Sequence, residues 1–159
     1  MTHLKPGDKA PDFNTVDELG NSLKLADFEG KKLILFSYPK AMTPGCTNEA
    51  CNLRDHYKEL TDKGFAIVGI SADDSKRQQR FKDKYEFPFP LIPDTEKDIL
   101  KTYGIWGPKK LYGREYDGIH RTTFVIDEQG VIEKVFTKVK TKEHAEQILA
   151  DFDSAQSPK

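Results

Sequence analysis

The chain contains two cysteines, Cys46 and Cys51, separated by four residues. Cys46 follows a typical helix start: Thr43 is a good N-cap residue, and Pro44 suits the first helical position because its missing N–H would have no partner there. Cys46 then falls at the third helical position, where it faces unpaired backbone N–H groups and the positive end of the helix dipole. These surroundings favour a reactive thiolate. The pattern therefore predicts thiol chemistry at Cys46.

The composition is that of one globular domain. The chain has 159 residues, of which 36% are hydrophobic and 32% charged, and its net charge is −1. A chain of this length can bury a substantial core, and such a balanced charge predicts no nucleic-acid or anionic membrane partner. We expect a single domain over residues 1–153, followed by a disordered tail at 154–159.

No targeting or membrane segment is apparent in the sequence. Residues 1–8 lack the apolar core of a signal peptide, and apolar runs such as residues 33–36 are far too short to span a bilayer. We therefore expect a cytoplasmic protein. In that compartment, a pair of cysteines is more often redox-active or catalytic than a permanent bridge.

The elements around Cys46 predict an α/β fold. Residues 33–38 form an apolar run typical of a buried strand, and Cys46 follows it closely. The other predicted elements are an antiparallel pair at 13–16 and 23–25, helices at 44–63, about 75–85 and about 95–103, a strand at 65–71, a hairpin at 122–127 and 131–136, and a helix at about 141–153. This order predicts a thioredoxin-like fold, with a central mixed β-sheet flanked by helices and an N-terminal β-hairpin. Cys46 lies beyond the carboxyl end of a strand, where open α/β sheets place their sites.

The spacing of the cysteines restricts how they can pair. If residues 44–63 form one regular helix, the two Cα atoms are roughly 8–9 Å apart. A disulfide requires Cα atoms within about 7 Å and side chains that point at each other. Cys46 and Cys51 therefore either never pair, or pair only after the first turns of the helix unwind.

The two cysteines allow three other interpretations. A helical cysteine can simply be a small buried apolar residue. A structural zinc site usually needs four ligands in short pairs, and the two cysteines with His56 nearby supply no such set, so no metal is predicted. A thioredoxin-type reductase would require two cysteines separated by two residues, which this chain lacks.

The segment from Ser37 to Cys51 resembles the active-site segment of peroxiredoxins, whose motif is Pro-x-x-x-Thr/Ser-x-x-Cys. It most resembles the peroxiredoxin Q branch, also called bacterioferritin comigratory proteins. The resemblance covers nearly the whole chain, and further matching segments lie at residues 7–13, 87–94, 109–113 and 118–127.

This resemblance implies a thiol peroxidase that reduces hydrogen peroxide and organic hydroperoxides in antioxidant defence. Cys46 is implied as the peroxidatic nucleophile, which becomes a sulfenic acid, and Cys51 as the resolving thiol that forms an intramolecular disulfide. The family further implies thioredoxin as the reductant, no metal or other cofactor, and in many members of this branch a monomer.

The resemblance also implies roles for five supporting residues. Thr43 matches the residue whose hydroxyl binds the thiolate and the peroxide, Pro39 matches the proline that shields the thiolate from water, and Gly45 belongs to the same motif. Arg121 matches the arginine that stabilises the thiolate and polarises the peroxide, and Glu49 the residue that steers this arginine. On residue chemistry alone, Arg121 could instead pair with a surface carboxylate, and Glu49 could be a solvated first-turn carboxylate that complements the helix dipole.

The histidines and the aromatic residues of the segment 104–118 are expected to lie outside the reaction. His56 and His144 are predicted to be solvated, and His120 to point away from the face of Arg121. The segment's aromatic residues are expected to cover the core, or alternatively to form a lip over the active-site mouth; they are Trp106, Tyr112 and Tyr116.

Two further functions compete with the peroxidase. A redox sensor could use the same oxidation to unwind the helix and change a binding surface, in which case oxidation would occur without efficient re-reduction. A thiol–disulfide oxidoreductase would act on disulfides even without Arg121, because reducing a disulfide develops no alkoxide or hydroxide for that residue to stabilise.

Overall fold

The computed structural model describes residues 2–156 and contains nine strands and five α-helices within them. The strands are β1 (Asn14–Val16), β2 (Ser22–Lys24), β3 (Lys32–Ser37), β4 (Phe65–Ser71), β5 (Leu91–Pro93), β6 (Trp106–Leu111), β7 (Arg114–Ile119), β8 (Thr123–Ile126) and β9 (Ile132–Phe136). The helices are α1 (Pro44–Asp55), α2 (Tyr57–Asp62), α3 (Ser75–Tyr85), α4 (Asp98–Thr102) and α5 (His144–Gln156), and a 3-10 helix covers Leu25–Phe28.

A mixed sheet in the order β5-β4-β3-β8-β9 forms the centre of the fold. Strand β3 is parallel to β4 and antiparallel to β8, so both of its edges are paired. Its residues 33–37 are all buried. This confirms the prediction from the unbroken apolar run, which is typical of a strand covered on both faces. The pair β1–β2 forms the predicted N-terminal hairpin. The predicted α/β architecture is therefore confirmed.

Alternate side chains of β3 enter two hydrophobic cores on opposite faces of the sheet. Ile34 and Phe36 belong to a core that α1, α2, α3 and α5 cover, and this core also contains Cys46. Leu33 and Leu35 belong to a second core, which includes residues of α4 and of the N-terminal hairpin. Because successive strand side chains point to opposite faces, one central strand supports both cores.

The predicted helix 44–63 is divided at His56 into α1 and α2, which corrects the single-helix prediction. The Nδ1 atom of His56 lies 2.9 Å from the carbonyl oxygen of Asn52. A side chain that bonds this carbonyl competes with the regular helical ladder at that point. Cys46 and Cys51 both lie within α1, so their helical spacing is unaffected.

Other elements also differ from the sequence-based expectations. Helix α4 is shorter than predicted, and α5 begins at His144 and continues to Gln156. Residues 154–156 of the predicted tail are thus helical, and 157–159 lie outside the described residues. The hairpin β6–β7 was not predicted, because its second strand is mostly exposed and lacks an alternating hydrophobic pattern.

Within residues 2–156, no helix combines the length and apolarity needed to cross a membrane.

Candidate active site

Cys46 lies in the first turn of α1, just beyond the carboxyl end of β3. Thr43 has the extended backbone of an N-cap residue, and Pro44 occupies the start of the helix, as predicted. The Cys46 side chain is only 1% exposed, and both cysteines are free thiols. The reactive position therefore combines a helix N-terminus with burial at the edge of a hydrophobic core.

Arg121 reaches Cys46 from the segment that precedes β8. Its Nη2 atom donates a hydrogen bond to Cys46 Sγ at 3.3 Å, and its Nη1 atom donates one to Glu49 Oε1 at 2.6 Å. The backbone is held on both sides of Arg121: the N–H of Ser37 donates to the carbonyl of Thr122 at 2.9 Å, and the N–H of His120 donates to the carbonyl of Ile105 at 2.8 Å. Arg121 therefore bridges the thiol and a buried carboxyl, and the alternative of a surface ion pair is wrong.

The surroundings of Arg121 favour its positively charged form. Burial by itself would lower the pKa of the Arg121 guanidinium, but Glu49 and Cys46 outweigh it, and the net pKa is raised. Gly45 gives the guanidinium the space it needs, since a Cβ atom at that position would lie 3.2 Å from Arg121 Nη2. A side chain at position 45 would press directly against the group that contacts the thiol.

Glu49 lies one helical turn after Cys46 and is completely buried. Burial raises the pKa of the Glu49 carboxyl to about 7; Arg121 opposes this shift, as would the Thr123 hydroxyl if it donated to Glu49. The Oε1 atom binds Arg121, while Oε2 has no hydrogen-bond partner among the described residues. The interpretation of Glu49 as a solvated carboxylate is therefore wrong.

His144 lies behind Glu49 and is also completely buried, so the prediction that it is solvated is wrong. Its Nε2 atom is 3.6 Å from Glu49 Oε2, and burial lowers its pKa to about 4. His144 begins α5 and shares a helix face with the buried residues Ile148 and Phe152. This spacing of four residues indicates a buried helix face and could have been recognised in the sequence, but the charged neighbours of His144 suggested a solvated position.

A second network holds the loop before α1. Asp73 Oδ2 accepts a hydrogen bond from the backbone N–H of Ala41 at 2.8 Å, and Arg77 Nη2 donates to the carbonyl of Ala41 at 3.1 Å. The side chains of Asp73 and Arg77 form a salt bridge at 3.1 Å. The adjoining Met42 has a left-handed backbone, with φ 72°. Asp73 and Arg77 were not predicted as site residues, because no local sequence pattern marks residues that act on a distant loop.

Two predicted site residues lie near Cys46 without a hydrogen bond to it in this structure. The Thr43 hydroxyl donates to the carbonyl of Lys40 at 2.7 Å, and Pro39 is an exposed residue of the loop that follows β3. Their roles towards the thiolate and the peroxide stay predictions.

Cys51 lies on the same intact helix and is partly exposed. Burial raises the pKa of the Cys51 thiol, Arg54 opposes this shift, and Asp55 adds to it. The helix keeps the two thiols apart, as the spacing predicted, so a disulfide between them requires part of α1 to unwind.

The remaining histidines and aromatic residues lie in different surroundings. His56 is half-buried near Glu146, and His120 Nε2 lies 2.9 Å from the carbonyl of Pro108. Trp106 packs against the second core, as expected, but Tyr112 and Tyr116 are exposed and do not cover it. Residues 2–156 contain no cluster of three or more side chains suited to binding a metal ion.

Comparisons with known proteins place the chain in a family. The sequence profile of the AhpC/TSA family matches residues 6–135. Peroxiredoxin Bcp of Escherichia coli strain K12 is 44% identical over 149 residues, which cover 94% of this chain and 96% of that protein. The crystal structure of peroxidoxin BcpB from Mycobacterium tuberculosis superposes with a TM-score of 0.85 at 34% identity, covering 98% of this chain and 100% of the other.

A second solved structure shares this architecture. Bacterioferritin comigratory protein from Xanthomonas campestris, studied for its alkyl peroxide reduction activity, superposes with a TM-score of 0.84 at 29% identity, covering 91% of this chain and 92% of that chain. The fold is therefore the thioredoxin-like fold of peroxiredoxins, and the chain belongs to the AhpC/TSA family. Within it, the chain is a peroxiredoxin similar to the Bcp and peroxiredoxin Q proteins, an enzyme with thiol-dependent peroxidase activity.

Proposed function

We propose that Cys46 is the peroxidatic nucleophile and Cys51 the resolving thiol of a two-cysteine cycle. The contact between Arg121 Nη2 and Cys46 Sγ at 3.3 Å carries this proposal, because it places a fixed positive charge on the buried thiol. A guanidinium in this position stabilises the thiolate and then the negative charge that develops on the departing peroxide oxygen.

The first step oxidises Cys46. The thiolate sulfur attacks one oxygen of the hydroperoxide, the O–O bond breaks, and Cys46 becomes a sulfenic acid while the leaving alkoxide or hydroxide takes up a proton to give an alcohol or water. Hydrogen peroxide and organic hydroperoxides are the proposed substrates. The alkyl peroxide reduction activity of the Xanthomonas campestris relative supports the organic class.

The second step joins the two cysteines. The Cys51 thiol condenses with the sulfenic acid, a disulfide forms and one water leaves. The first turns of α1 must unwind for this step, because both cysteines lie on one continuous helix. Unwinding also exposes Cys51 to water, which removes the burial that raises its pKa and makes its thiolate more accessible.

The third step is reduction of the disulfide by a dithiol, for which we propose thioredoxin. The Cys51 side chain is partly exposed, which supports access by such a partner once α1 has unwound. Cys46, Cys51 and Arg121 belong to one copy of the chain, which supports the monomer that the family resemblance implies, and we propose that this monomer is cytoplasmic.

The test is the rate at which free thiols disappear after one equivalent of hydrogen peroxide is added to reduced protein. We expect the wild type to lose both thiols within seconds, and Cys46→Ser to lose neither at that rate. Cys51→Ser should keep the first oxidation and lose thioredoxin-linked turnover.

Each contrary result is informative. Full turnover by Cys51→Ser would contradict the two-cysteine cycle. Wild-type thiol loss no faster than that of an ordinary exposed cysteine would contradict the peroxidatic role of Cys46. Rapid oxidation without re-reduction by any dithiol would favour the redox sensor instead.

A further inference from the structure

Three buried polar side chains from three different elements meet behind Arg121. They are Glu49 of α1, Thr123 of β8 and His144 of α5, and each is 0% exposed. Thr123 Oγ1 lies 2.8 Å from His144 Nε2, and Glu49 Oε2 lies 3.6 Å from the same nitrogen. The other oxygen of Glu49, Oε1, accepts the hydrogen bond from Arg121.

The tautomer of His144 follows from the side-chain amide of Gln147. The Nε2 atom of this amide donates to the carbonyl of Lys138 at 2.9 Å, and Oε1 accepts from the backbone N–H of Lys140 at 3.2 Å. These two bonds orient the amide, so Oε1 is the atom that lies 3.0 Å from His144 Nδ1. An acceptor at that distance requires the proton of a neutral imidazole to be on Nδ1, which leaves a lone pair on Nε2.

That lone pair determines how the Thr123 hydroxyl is used. Because Nε2 can only accept, the hydroxyl donates to it, and its single hydrogen is no longer available to Glu49. Glu49 Oε2 therefore faces a nitrogen lone pair and has no donor among the described residues. A carboxylate oxygen in such surroundings is unfavourable, whereas a protonated carboxyl would itself supply the missing donor.

The charges around Glu49 lead to the same conclusion. Among the described residues, the ionisable groups paired with it are Arg121 from the segment before β8 and the neutral His144 from α5, and Cys46 from α1 shares the Arg121 guanidinium with it. Strand β9 adds the apolar ring of Phe136, which packs edge-on against His144. Arg121 is one cation beside two acidic groups, and a buried site with two anions and one cation carries an uncompensated charge.

We propose that His144 is a positioning residue for the peroxidase: by holding the Thr123 hydroxyl away from Glu49, it keeps a proton on Glu49 and leaves the charge of Arg121 to the Cys46 thiolate. This inference rests on the proposed function only for its effect on the reaction. The raised pKa of the Glu49 carboxyl, about 7, and the lowered pKa of His144, about 4, agree with a protonated acid beside a neutral ring.

The proposal makes His144 and Thr123 act in opposite directions. In His144→Phe, which keeps an aromatic ring against Phe136, the Thr123 hydroxyl loses its acceptor and can donate to Glu49. Glu49 then ionises more readily and competes with Cys46 for Arg121. In the double variant with Thr123→Val, that donor is absent, and Glu49 regains its proton. A purely structural role for His144 would make the double variant worse than the single one.

The test measures the protonation state of Glu49 without peroxide, by infrared absorption of its carboxylic acid carbonyl at pH 6 in the reduced full-length protein. We expect a band that Glu49→Gln removes, that His144→Phe weakens at least several-fold, and that His144→Phe with Thr123→Val restores. The ultraviolet absorbance of the Cys46 thiolate is followed against pH in a Cys51→Ser background. At a given pH it should decrease in His144→Phe and recover in the double variant.

Three outcomes would overturn the proposal: no band that depends on Glu49, an undiminished band in His144→Phe, or no recovery in the double variant. If His144→Phe does not fold, Thr123→Val alone decides the question: the band should be unchanged, because the Thr123 hydroxyl donates to His144 and not to Glu49, and a stronger band would mean that it donates to Glu49 and would contradict the proposal. These measurements need no enzymatic turnover. A failure of the peroxide assay with the infrared pattern intact would therefore count against the proposed function and not against this inference.

Discussion

Two polar networks border Cys46, and they differ in what they hold. The loop network, Asp73 with Arg77, binds the backbone N–H and carbonyl of Ala41 and ties the loop before α1 to the region of β4 and α3. The helix network, Arg121 with Glu49 and His144, binds side chains and joins α1 to β8 and α5. The first therefore fixes a backbone, and the second adjusts a charge.

The difference matters because the proposed two-cysteine cycle requires only one side of the site to move. Disulfide formation requires α1 to unwind, and Glu49 lies between the two cysteines on that helix. In the proposed cycle, the helix network must therefore break at each turnover, whereas Asp73 and Arg77 can keep their hydrogen bonds to Ala41. We infer that the loop network preserves the approach to Cys46 while the helix network is dismantled and rebuilt.

The largest difference between the two networks should appear with lysine substitutions. Arg121→Lys keeps a positive charge, but an ammonium cannot bridge Cys46 and Glu49 as the planar guanidinium does. We expect the rate of Cys46 oxidation by peroxide to fall about 100-fold or more. The matched control Arg77→Lys should lower it less than about 10-fold, because Asp73 still holds the N–H of Ala41. Equal losses in stopped-flow measurements would remove the distinction between the two networks.

The next largest effect concerns stability against pH. His144 has a folded pKa of about 4 against an ordinary value of 6.5, so it contributes stability that is lost as the pH falls from about 6.5 to 4. Glu49 has a folded pKa of about 7 against 4.5, so its ionisation costs stability as the pH rises from about 4.5 to 7. Each effect is on the order of 3 kcal/mol, with opposite sign.

Denaturant titrations between pH 7 and pH 4 can separate these two contributions. Relative to the wild type, Glu49→Gln should lose stability more steeply on acidification, because the compensating proton uptake by Glu49 is gone. His144→Phe should lose it less steeply. Parallel pH profiles for the wild type and both variants would show that the helix network does not titrate as described.

A smaller effect is expected on the loop side. Asp73→Asn removes the charge that pairs with Arg77 but can still offer an oxygen to the N–H of Ala41. We expect a loss of about 1–2 kcal/mol in the free energy of unfolding at pH 7. If Asp73→Asn instead changed the pH profile of stability in the way expected for His144→Phe, the two networks would be coupled.

The smallest effect should come from the junction of α1 and α5. Asn52 Oδ1 accepts a hydrogen bond from the N–H of Ala145 at 2.6 Å and thereby caps α5, directly after Cys51 in the chain. Asn52→Ala should cost about 1 kcal/mol of stability. It should also speed disulfide formation after peroxide is added, because α1 is then less firmly attached to α5. A thiol assay can measure the loss of the Cys51 thiol separately from the first oxidation of Cys46. Slower disulfide formation would contradict the requirement for unwinding.

Local patterns were sufficient for one half of the site. The Thr43-Pro44 helix start, the position of Cys46 and the helical spacing of Cys51 were predicted correctly, because each depends on residues within a turn or two of the helix. The link from Arg121 to Cys46 was expected only from a family resemblance. No periodicity relates residues that are 75 positions apart, although strand pairing between β3 and β8 brings them together.

The errors concern residues whose environment comes from distant parts of the chain. Glu49 and His144 are polar residues beside charged neighbours, and such residues are usually solvated. Both are completely buried because α5 packs over α1 and closes the space between them. The hairpin β6–β7 was missed for a related reason. It is defined by the pairing of its two strands and not by a hydrophobic pattern in either strand.

The amino-acid sequence alone was enough to specify a buried central strand, the helix that begins at Thr43 and a reactive cysteine in its first turn, because hydrophobic runs and capping act over a few residues. Only the tertiary structure decided which charges surround that cysteine. Burial and hydrogen bonding between α1, β8 and α5 select a protonation state for Glu49 and a tautomer for His144, and these depend on the dielectric surroundings and partners that packing creates.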